Sequence, residues 1–198
     1  MSSSFFTQIG SDIDGEAAYD GSGHSVSLSA DGLVVAIGAP SNDDNGDNSG
    51  HVRIYKNLNN TWIQVGSDID GEAAYDRSGH SVSLSADGSV VAIGAPLNKI
   101  TESYSGHVRI YKNVNNTWTQ IGSDIDGEER GDSSGYSVSL SSDGSIVAIG
   151  ARLKEGNGSY SGHVRIYRNV NNTWAQIGGD IDGESSHDQS GYSVSLSA

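Results

Sequence analysis

The 198-residue sequence contains no cysteine, only 2 prolines, and 11 basic residues against 25 acidic ones. Without cysteine, the chain cannot form disulfides or thiolate metal sites, and it cannot use a cysteine nucleophile. Its formal net charge of −14 repels phosphate backbones, so we expect no nucleic-acid partner. No apolar run approaches the ~18 residues of a membrane span, so we expect no membrane insertion. Residues 1–6 have neither the basic start nor the apolar core of a signal peptide, and we expect any export signal outside this chain.

The sequence is built from a repeat of 56 residues. The segment Gly-Ser-Asp-Ile-Asp-Gly-Glu begins at four positions, the last in an altered form: Gly10, Gly66, Gly122 and Gly178. The first two copies match at 44 of 56 positions, and seven of the 12 differences lie within residues 41–48. One supersecondary unit is therefore repeated, and one surface loop within it varies.

Within a unit the apolar residues alternate with a period of two, which is typical of β-strands and not of helices. Residues 24–29 alternate polar and apolar side chains, and the turn 30–32 contains the Asp-Gly pair of a hairpin. Residues 34–37 are continuously apolar, residues 51–55 alternate again, and residues 61–65 are rich in β-branched and aromatic side chains. We name these four predicted strands a, b, c and d.

Four short antiparallel strands per unit predict a blade of a β-propeller, because the coils of the alternative β-solenoid are usually shorter. The predicted fold class is all-β, with three full four-stranded blades and two flanking strands, d at residues 5–9 and a at residues 192–196. The units divide the chain into 1–9, 10–65, 66–121, 122–177 and a partial repeat at 178–198. Propellers typically have 4–8 blades, so we expect either a fragment of a longer array or self-association through open blade edges.

Three short motifs in the first unit resemble the FG-GAP repeat. They are Ser22-Gly23 before strand a, Gly38-Ala39-Pro40 after strand b, and the Gly-His-Val-Arg-Ile-Tyr segment at residues 50–55. The FG-GAP family includes the seven-bladed propeller of integrin α subunits and many surface proteins. The resemblance therefore implies a propeller in an extracellular or cell-surface protein. In the third unit Arg152 replaces the proline of the second motif.

Several FG-GAP proteins place a calcium loop between strands a and b, but this chain has only one carboxylate at each such turn: Asp31, Asp87 and Asp143. A single carboxylate cannot supply a shell of six to eight oxygens. The calcium ligands of the family are therefore not expected at this place, and no cofactor is expected to be required.

The acidic residues concentrate between strand d and the next strand a, where 17 of 25 lie within residues 12–20, 68–76, 124–132 and 180–188. Each of these acidic loops presents carboxylates at positions 1, 3, 5 and 9. Alternate carboxylates suit a hard cation, so weak Ca²⁺ binding is one hypothesis, and a solvated connection kept for solubility is the other. The candidate ligands are Asp12, Asp14, Glu16, Asp20, Asp68, Asp70, Glu72, Asp76, Asp124, Asp126, Glu128, Asp132, Asp180, Asp182, Glu184 and Asp188.

Strand direction predicts that the variable b–c loops and the acidic d–a loops emerge on one face of the propeller. Variation gathered on one face of a rigid scaffold is typical of a binding surface. We therefore predict a non-catalytic recognition or adhesion module with a protein or glycan ligand. The alternatives are a structural spacer and a fragment of a propeller enzyme whose catalytic residues lie elsewhere. The predicted loop residues are Asp43, Asp44, Asp47, Lys99, Glu102, Tyr104, Lys154, Glu155 and Tyr160.

Three further patterns are interpreted as structural. Residues 131–135 match the G-x-S-x-G nucleophile pattern, but that motif needs a strand before it and a helix after it. One histidine opens strand c in each unit, and one tryptophan lies in each strand d. We predict a structural role at a strand end for the histidines, and blade packing for the tryptophans in preference to stacking on sugar rings.

Overall fold

In a computed structural model, which describes residues 7–100 and 103–197, three repeated antiparallel sheets form three propeller blades. The first blade contains β1 (Ser25–Leu28), β2 (Val34–Ala39), β3 (His51–Leu58) and β4 (Thr61–Gln64), with β5 (Ile69–Asp70) on its outer edge. The second contains β6 (Ser81–Leu84), β7 (Val90–Ala95) and, after a hairpin of β8 (Lys99–Ile100) and β9 (Ser103–Tyr104), β10 (His107–Val114), β11 (Thr117–Gln120) and β12 (Ile125–Asp126). The third contains β13 (Ser134–Leu140), β14 (Ile146–Ala151), β15 (His163–Val170), β16 (Thr173–Gln176) and β17 (Ile181–Asp182).

These sheets confirm the predicted all-β class and the a–b–c–d strand order of each blade. The described residues contain no helix, and thus none that is long and apolar enough to cross a membrane. The outer position of each blade is shared by two segments that sequence reasoning did not separate. In the first blade β4 pairs with one half of β3 through Tyr55 and Gln64, and β5 pairs with the other half through His51 and Asp70.

The short strand β5 corrects the prediction that residues 68–76 are all loop. Ile69 is buried while Asp70 is exposed, so the chain alternates sides once more before it leaves the sheet. The same two-residue strand recurs as β12 and β17. Position 3 of the predicted acidic loop therefore belongs to the edge of a blade.

The two predicted flanking strands do not form ladders within the described residues. At the start of the chain, residues 5 and 6 lie outside the described part, and residues 7–9 have no strand pairing. Residues 192–196 also have no strand pairing. The backbone N–H of Leu196 nevertheless donates to Ser139 Oγ at 3.0 Å, as the N–H of Leu140 does to Ser83 Oγ. The last segment thus occupies the place of an inner strand.

Neighbouring blades are joined by hydrogen bonds that recur from unit to unit. Ser25 Oγ donates to the carbonyl oxygen of Gly79 at 2.7 Å, and Ser81 Oγ donates to that of Gly135 at 2.8 Å. The third seam repeats this bond between Ser137 and the carbonyl of Gly191. We use the word seam for each such contact between successive units.

The hydrophobic core lies in the seams, between blades. Val34 and Ile54 of the first blade pack with Leu84 and Ile93 of the second, and an equivalent cluster joins the second and third blades. Leu84 is 7% exposed, whereas Leu28, at the same repeat position in β1, is 60% exposed. At the other end Ile181 is 55% exposed, although its counterpart Ile125 is 6% exposed. The two ends of the row of blades therefore expose the apolar positions that are buried inside the seams.

Candidate functional site

The variable loops and the acidic loops meet on one face of the blades, which we call the loop face. Asn45 Nδ2 donates to the carbonyl of Gly71 at 2.7 Å, and the N–H of Tyr75 donates to the carbonyl of Asp47 at 2.7 Å. In the third unit Asn157 Nδ2 donates to the carbonyl of Gly183 at 2.9 Å. Each variable loop therefore contacts the acidic loop that follows it.

The predicted loop residues of the first two units take several different roles. Asp43 accepts the N–H of Asn48 and so closes its own loop, while Asp47 accepts the Tyr75 hydroxyl at 3.2 Å. Lys99 lies over the ring of Tyr104, with Nζ 4.5 Å from the ring centroid. Glu102 lies outside the described residues.

In the third unit the predicted loop residue Lys154 is largely inaccessible to solvent. Lys154 is buried, with Nζ 3.0 Å from Glu129 Oε2 and 3.9 Å from Asp132 Oδ2. Because several carboxylates of the acidic loop contact this ammonium, the ion pairs of Lys154 lie within the loop structure itself. Glu155 and Tyr160 are exposed, and Tyr160 lies 5.5 Å from the ring of His187.

The aspartates at position 9 of the acidic loops serve the backbone. Asp76 is buried, and it accepts the N–H of Ala73 at 2.9 Å and the Asn98 side-chain amide at 3.0 Å. The same backbone bond recurs at the other three copies of this position: Asp20, Asp132 and Asp188. Burial raises the pKa of Asp132 above its ordinary value. These carboxylates therefore hold the backbone of their own loop through a hydrogen bond to a residue three positions earlier.

Within one acidic loop, the carboxylates at positions 1 and 5 lie beside different histidines. Asp68 Oδ2 lies 3.8 Å from His51 Nδ1, whereas Glu72 Oε2 lies 3.9 Å from His107 Nδ1. The carboxylate at position 1 of a loop thus lies beside the histidine of the preceding blade, and the carboxylate at position 5 lies beside the histidine of the following blade. Asp70 lies in β5, and its pKa is raised by burial and by the charge of Asp68.

Three clusters result, which we call the seam clusters, and within each the potential ligand atoms lie within 4.8 Å of one another. Their members are Glu16, Asp44, His51 and Asp68 in the first; Glu72, His107 and Asp124 in the second; and Glu128, His163 and Asp180 in the third. Besides the four aspartates at position 9, six predicted ligands lie outside the clusters, all exposed: Asp12, Asp14, Asp70, Asp126, Asp182 and Glu184.

The histidines of the seam clusters are almost completely inaccessible to solvent. His51 is 0% exposed, and His107 and His163 are each 1% exposed. Burial, followed by the charge of Arg109, lowers the pKa of His107 to about 4, so its imidazole is uncharged at neutral pH. Burial likewise lowers the pKa of His163. Both ring nitrogens of His51 and Nδ1 of His163 have no hydrogen-bond partner among the described residues.

Sequence reasoning assigned these histidines to strand ends and missed their carboxylate neighbours. The available signal was the placement of one histidine per unit at the loop-face end of strand c. An arginine two residues later completes the arrangement. Arg53 Nη2 donates to the carbonyl of Asp14 at 2.7 Å, and its Nη1 lies 3.4 Å from Glu16 Oε1. Arg165 contacts Glu128 in the same way at 3.2 Å.

A row of adjacent, mutually tilted rings lies near the starts of the inner strands of successive units. The ring centroids of His24 and His80 are 4.9 Å apart, those of His80 and Tyr136 are 4.8 Å apart, and those of Tyr136 and Tyr192 are 5.2 Å apart. Burial, followed by the charges of His24 and Arg77, lowers the pKa of His80 to about 4. The imidazole of His80, the second ring of this row, is therefore uncharged at neutral pH.

Beside this row, two cavities open between the loops of the second and third units. One of about 290 Å³ includes Arg77, His80, Tyr136 and Arg152 in its lining. The other, of about 400 Å³, shares Arg77 with the first and adds two exposed rings, Tyr75 and Tyr104. Together they form what we call the arginine pocket, defined by those two linings.

Arg152 holds a distinctive position in the arginine pocket, because the first two units have proline there. Its guanidinium carbon lies 4.2 Å from the centroid of Tyr136, and Nη1 donates to Gln189 Oε1 at 3.3 Å. Nε is buried and has no hydrogen-bond partner among the described residues. The cation is thus fixed against an aromatic face, with donor capacity remaining.

The tryptophans take no part in these sites, and the G-x-S-x-G segment contributes Gly131 and Ser133 to the lining of the arginine pocket. Trp118 Nε1 donates to the carbonyl of Val65 at 2.7 Å, and Trp174 Nε1 donates to that of Ile121 at 2.8 Å. Both indoles therefore connect neighbouring outer strands. Residues 131–135 lead directly into β13, so Ser133 lacks the strand-to-helix turn of a nucleophile elbow.

Comparison with known families identifies the repeat. Residues 13–55 match the model of the FG-GAP repeat. The resemblance to the FG-GAP family is confirmed. The matched segment runs from the first acidic loop through strands a and b to strand c, so it includes Glu16 and His51 of the first seam cluster. A search of curated proteins found no match.

Solved structures similar to this chain are propeller proteins at low sequence identity. A protein from Bacteroides fragilis, proposed to be a 6-phosphogluconolactonase, has a TM-score of 0.58 at 15% identity, over 86% of this chain and 42% of its own. A similar protein from Bacteroides uniformis has a TM-score of 0.51 at 18% identity, over 80% and 40%. Sqt1 from Saccharomyces cerevisiae has a TM-score of 0.52 at 14% identity, over 85% and 38%. The chain thus spans about two fifths of these structures, and the likeness concerns the fold alone.

Proposed function

We propose that this FG-GAP chain is a non-catalytic recognition module of an extracellular or surface protein, and that its arginine pocket binds an anionic glycan. The observation that carries the proposal is the approach of Arg77 and Arg152 to one cavity. In a chain with 11 basic and 25 acidic residues, two cations at one opening favour an anionic group there. A planar guanidinium suits a carboxylate or sulfate through paired hydrogen bonds.

The rings of the pocket support a sugar as the carrier of that anion. Tyr75 is 50% exposed and Tyr104 is 39% exposed, and both border the larger cavity next to Arg77. An exposed aromatic ring offers an apolar face to a sugar ring and a hydroxyl to its polar edge. An acidic sugar, such as a uronic acid, combines both features. The cavity of about 400 Å³ is within the size range of small-ligand sites.

The repeat itself provides substitutions that remove both cations with little expected effect on the fold. Arg152→Pro restores the residue of the first two units, and Arg77→Gly restores Gly21 of the first unit. Arg77 has a positive φ of 55°, which glycine adopts more easily than arginine. The double variant should bind acidic oligosaccharides at least about tenfold more weakly, since each charged hydrogen bond contributes about 1.5–3 kcal/mol. Isothermal titration calorimetry with oligouronates, and with neutral oligosaccharides as the reference, measures this effect.

A control variant, Arg168→Gln, removes an exposed cation from β15, outside the arginine pocket, and should leave the affinity unchanged. Equal binding by the double variant and the wild type would refute the pocket assignment. No binding to any glycan by a folded protein would favour the structural spacer. Turnover of the oligosaccharides would favour a fragment of a propeller enzyme. Calcium binding by the acidic loops stays a prediction, and the proposal does not depend on it.

We also propose that copies of this chain associate end to end. Leu28 at one end and Ile181 at the other are exposed, although their counterparts are buried in the seams. Apposition of these ends would continue a kind of contact that the fold already uses twice. Light scattering should give a mass that rises with concentration, and Leu28→Glu should lower that mass. A strictly monomeric wild type at all concentrations would contradict this proposal.

A further inference from the structure

We infer that the seam clusters bind a divalent transition-metal ion, with Zn²⁺ as the fitting ion, through one histidine and two or three carboxylates. This inference is independent of the arginine pocket, because the ligands belong to other side chains of the loop face. It also differs from the calcium hypothesis, because each set takes its carboxylates from two successive acidic loops and adds a nitrogen donor.

The first observation is an imidazole nitrogen that is buried without a hydrogen-bond partner. His51 Nδ1 lies 3.6 Å from Glu16 Oε2 and 3.8 Å from Asp68 Oδ2, distances too long for hydrogen bonds. His163 Nδ1 is equally unpartnered and lies 3.4 Å from Asp180 Oδ2. A buried polar atom without a partner is unfavourable, so a group between the nitrogen and the carboxylates would remove this penalty.

The second observation is that these separations resemble those between ligands of one metal ion. Tetrahedral zinc with bonds of 2.0–2.2 Å places neighbouring ligand atoms about 3.3–3.5 Å apart. The nitrogen–oxygen distances at the three histidines run from 3.4 to 3.9 Å, so small side-chain movements would complete the coordination. Direct hydrogen bonding would have brought the same atoms to about 2.9 Å.

The donor types favour zinc over calcium. Imidazole suits zinc and its neighbours in the transition series, whereas calcium takes oxygen ligands only and needs six to eight of them. The carboxylate of Glu16 is held from behind by Arg53, whose Nη1 lies 3.4 Å from Oε1 while Oε2 faces the histidine. Arg109 holds Glu72 in the same way at 3.5 Å. Such outer contacts orient a ligand for its metal.

The three clusters differ in a way that ranks their affinities. The first has three carboxylates, since Asp44 joins it, whereas the second has two. In the third, the ammonium of Lys154 lies 3.7 Å from Glu128 Oε2, and it competes with a cation for that carboxylate. The residue at this repeat position is asparagine in the first two units, Asn42 and Asn98. We therefore expect the first cluster to bind most tightly and the third most weakly.

Titration calorimetry of chelator-treated protein with ZnCl₂ tests the inference, together with Co²⁺ absorption in the visible range as a report on coordination. We expect saturable Zn²⁺ binding with at least two sites per chain, and weaker heats with CaCl₂ at equal ionic strength. A visible Co²⁺ band that zinc abolishes would support nitrogen–oxygen coordination at these sites. A folded protein that gives neither zinc heats nor a cobalt band would overturn the inference.

The chain ends provide matched controls. Asp68→Asn removes a ligand of the first cluster, while Asp12→Asn makes the same change at the same repeat position, where no seam cluster forms. Glu16→Gln and Glu184→Gln form a second such pair. Asp68→Asn and Glu16→Gln should weaken the tightest site at least about tenfold, and the two end variants should not. Equal effects within each pair would show that bulk negative charge, and not coordination, attracts the ion.

Lys154→Asn provides a gain-of-binding test. It removes the competing ammonium and installs the residue of the other two units. We expect the affinity of the third cluster to rise at least about fivefold, and the circular dichroism spectrum at folded conditions to remain unchanged. An unaltered titration curve in this variant, with the fold intact, would contradict the assignment of the third cluster.

Discussion

Replacing Gly94 with alanine is expected to disrupt the seam between the second and third blades. A Cβ atom at this position would overlap the carbonyl oxygen of Gly135 and the hydroxyl of Ser81, which are themselves hydrogen-bonded. The backbone of β13 would have to move away from β7, and this would break the serine bond that joins the blades. We expect a loss of about 3 kcal/mol in the free energy of unfolding, at the upper end of the usual cost of overpacking, because the clash involves backbone.

For a chain of this size, that loss lowers the melting temperature by about 10 °C. The matched control is Gly179→Ala, since nothing lies within 4 Å of a Cβ at Gly179 and its φ is not positive. Thermal unfolding followed by circular dichroism or calorimetry compares the two variants. Melting temperatures of the two variants within about 2 °C of each other would mean that the blades do not approach as closely as the seam geometry requires.

The second large effect on stability is expected at a leucine of the inner strand, which is buried in the second unit and exposed in the first. Leu84→Ala should destabilise the protein by about 2–5 kcal/mol, because Leu84 is 7% exposed within the first seam. Leu28→Ala, at the same repeat position, should change stability by no more than about 0.5 kcal/mol, because Leu28 is 60% exposed. The difference arises only from whether a preceding blade covers the strand.

Urea unfolding at low protein concentration, which would minimise the proposed end-to-end association, measures this difference. Leu140→Ala provides an internal replicate, since Leu140 is buried in the second seam to the same degree as Leu84. If Leu28→Ala destabilised the dilute protein as much as Leu84→Ala, the hydrophobic core could not reside in the seams. The seam-centred account of the fold would then fail.

The strands of each blade were predictable because their periodicity and turn residues recur without insertion. The alternation in residues 24–29 located β1, and the apolar run at 34–37 located β2. The two-residue strand β5 was not predictable, since Ile69 and Asp70 are too few to establish a period. The flanking strand at 192–196 was predicted from side-chain pattern alone, whereas a ladder also requires a partner strand.

The seam clusters were hidden from sequence reasoning for a geometrical reason. The histidine of one cluster meets an aspartate 17 positions later and a glutamate 35 positions earlier, as His51 does with Asp68 and Glu16. Sequence reasoning treated the carboxylates of each acidic loop as one set, whereas each seam cluster combines carboxylates of two successive acidic loops. The acidic composition and the loop face were predictable, but the partition of charge between neighbouring units depends on how blades are placed side by side.

The seams of this protein have a consequence for how such a gene can change length. The serine–glycine, arginine–carbonyl and tryptophan–carbonyl bonds between units recur at fixed separations of 54, 39 and 53 residues. Recombination that gains or loses 56 codons therefore restores every bond across the junction, wherever in the repeat the crossover falls. A change that is not a multiple of 56 residues would alter the separation of the partners in each of these bonds that spans it. Unequal crossing-over between copies is thus structurally silent at the junction, and only the number of blades changes.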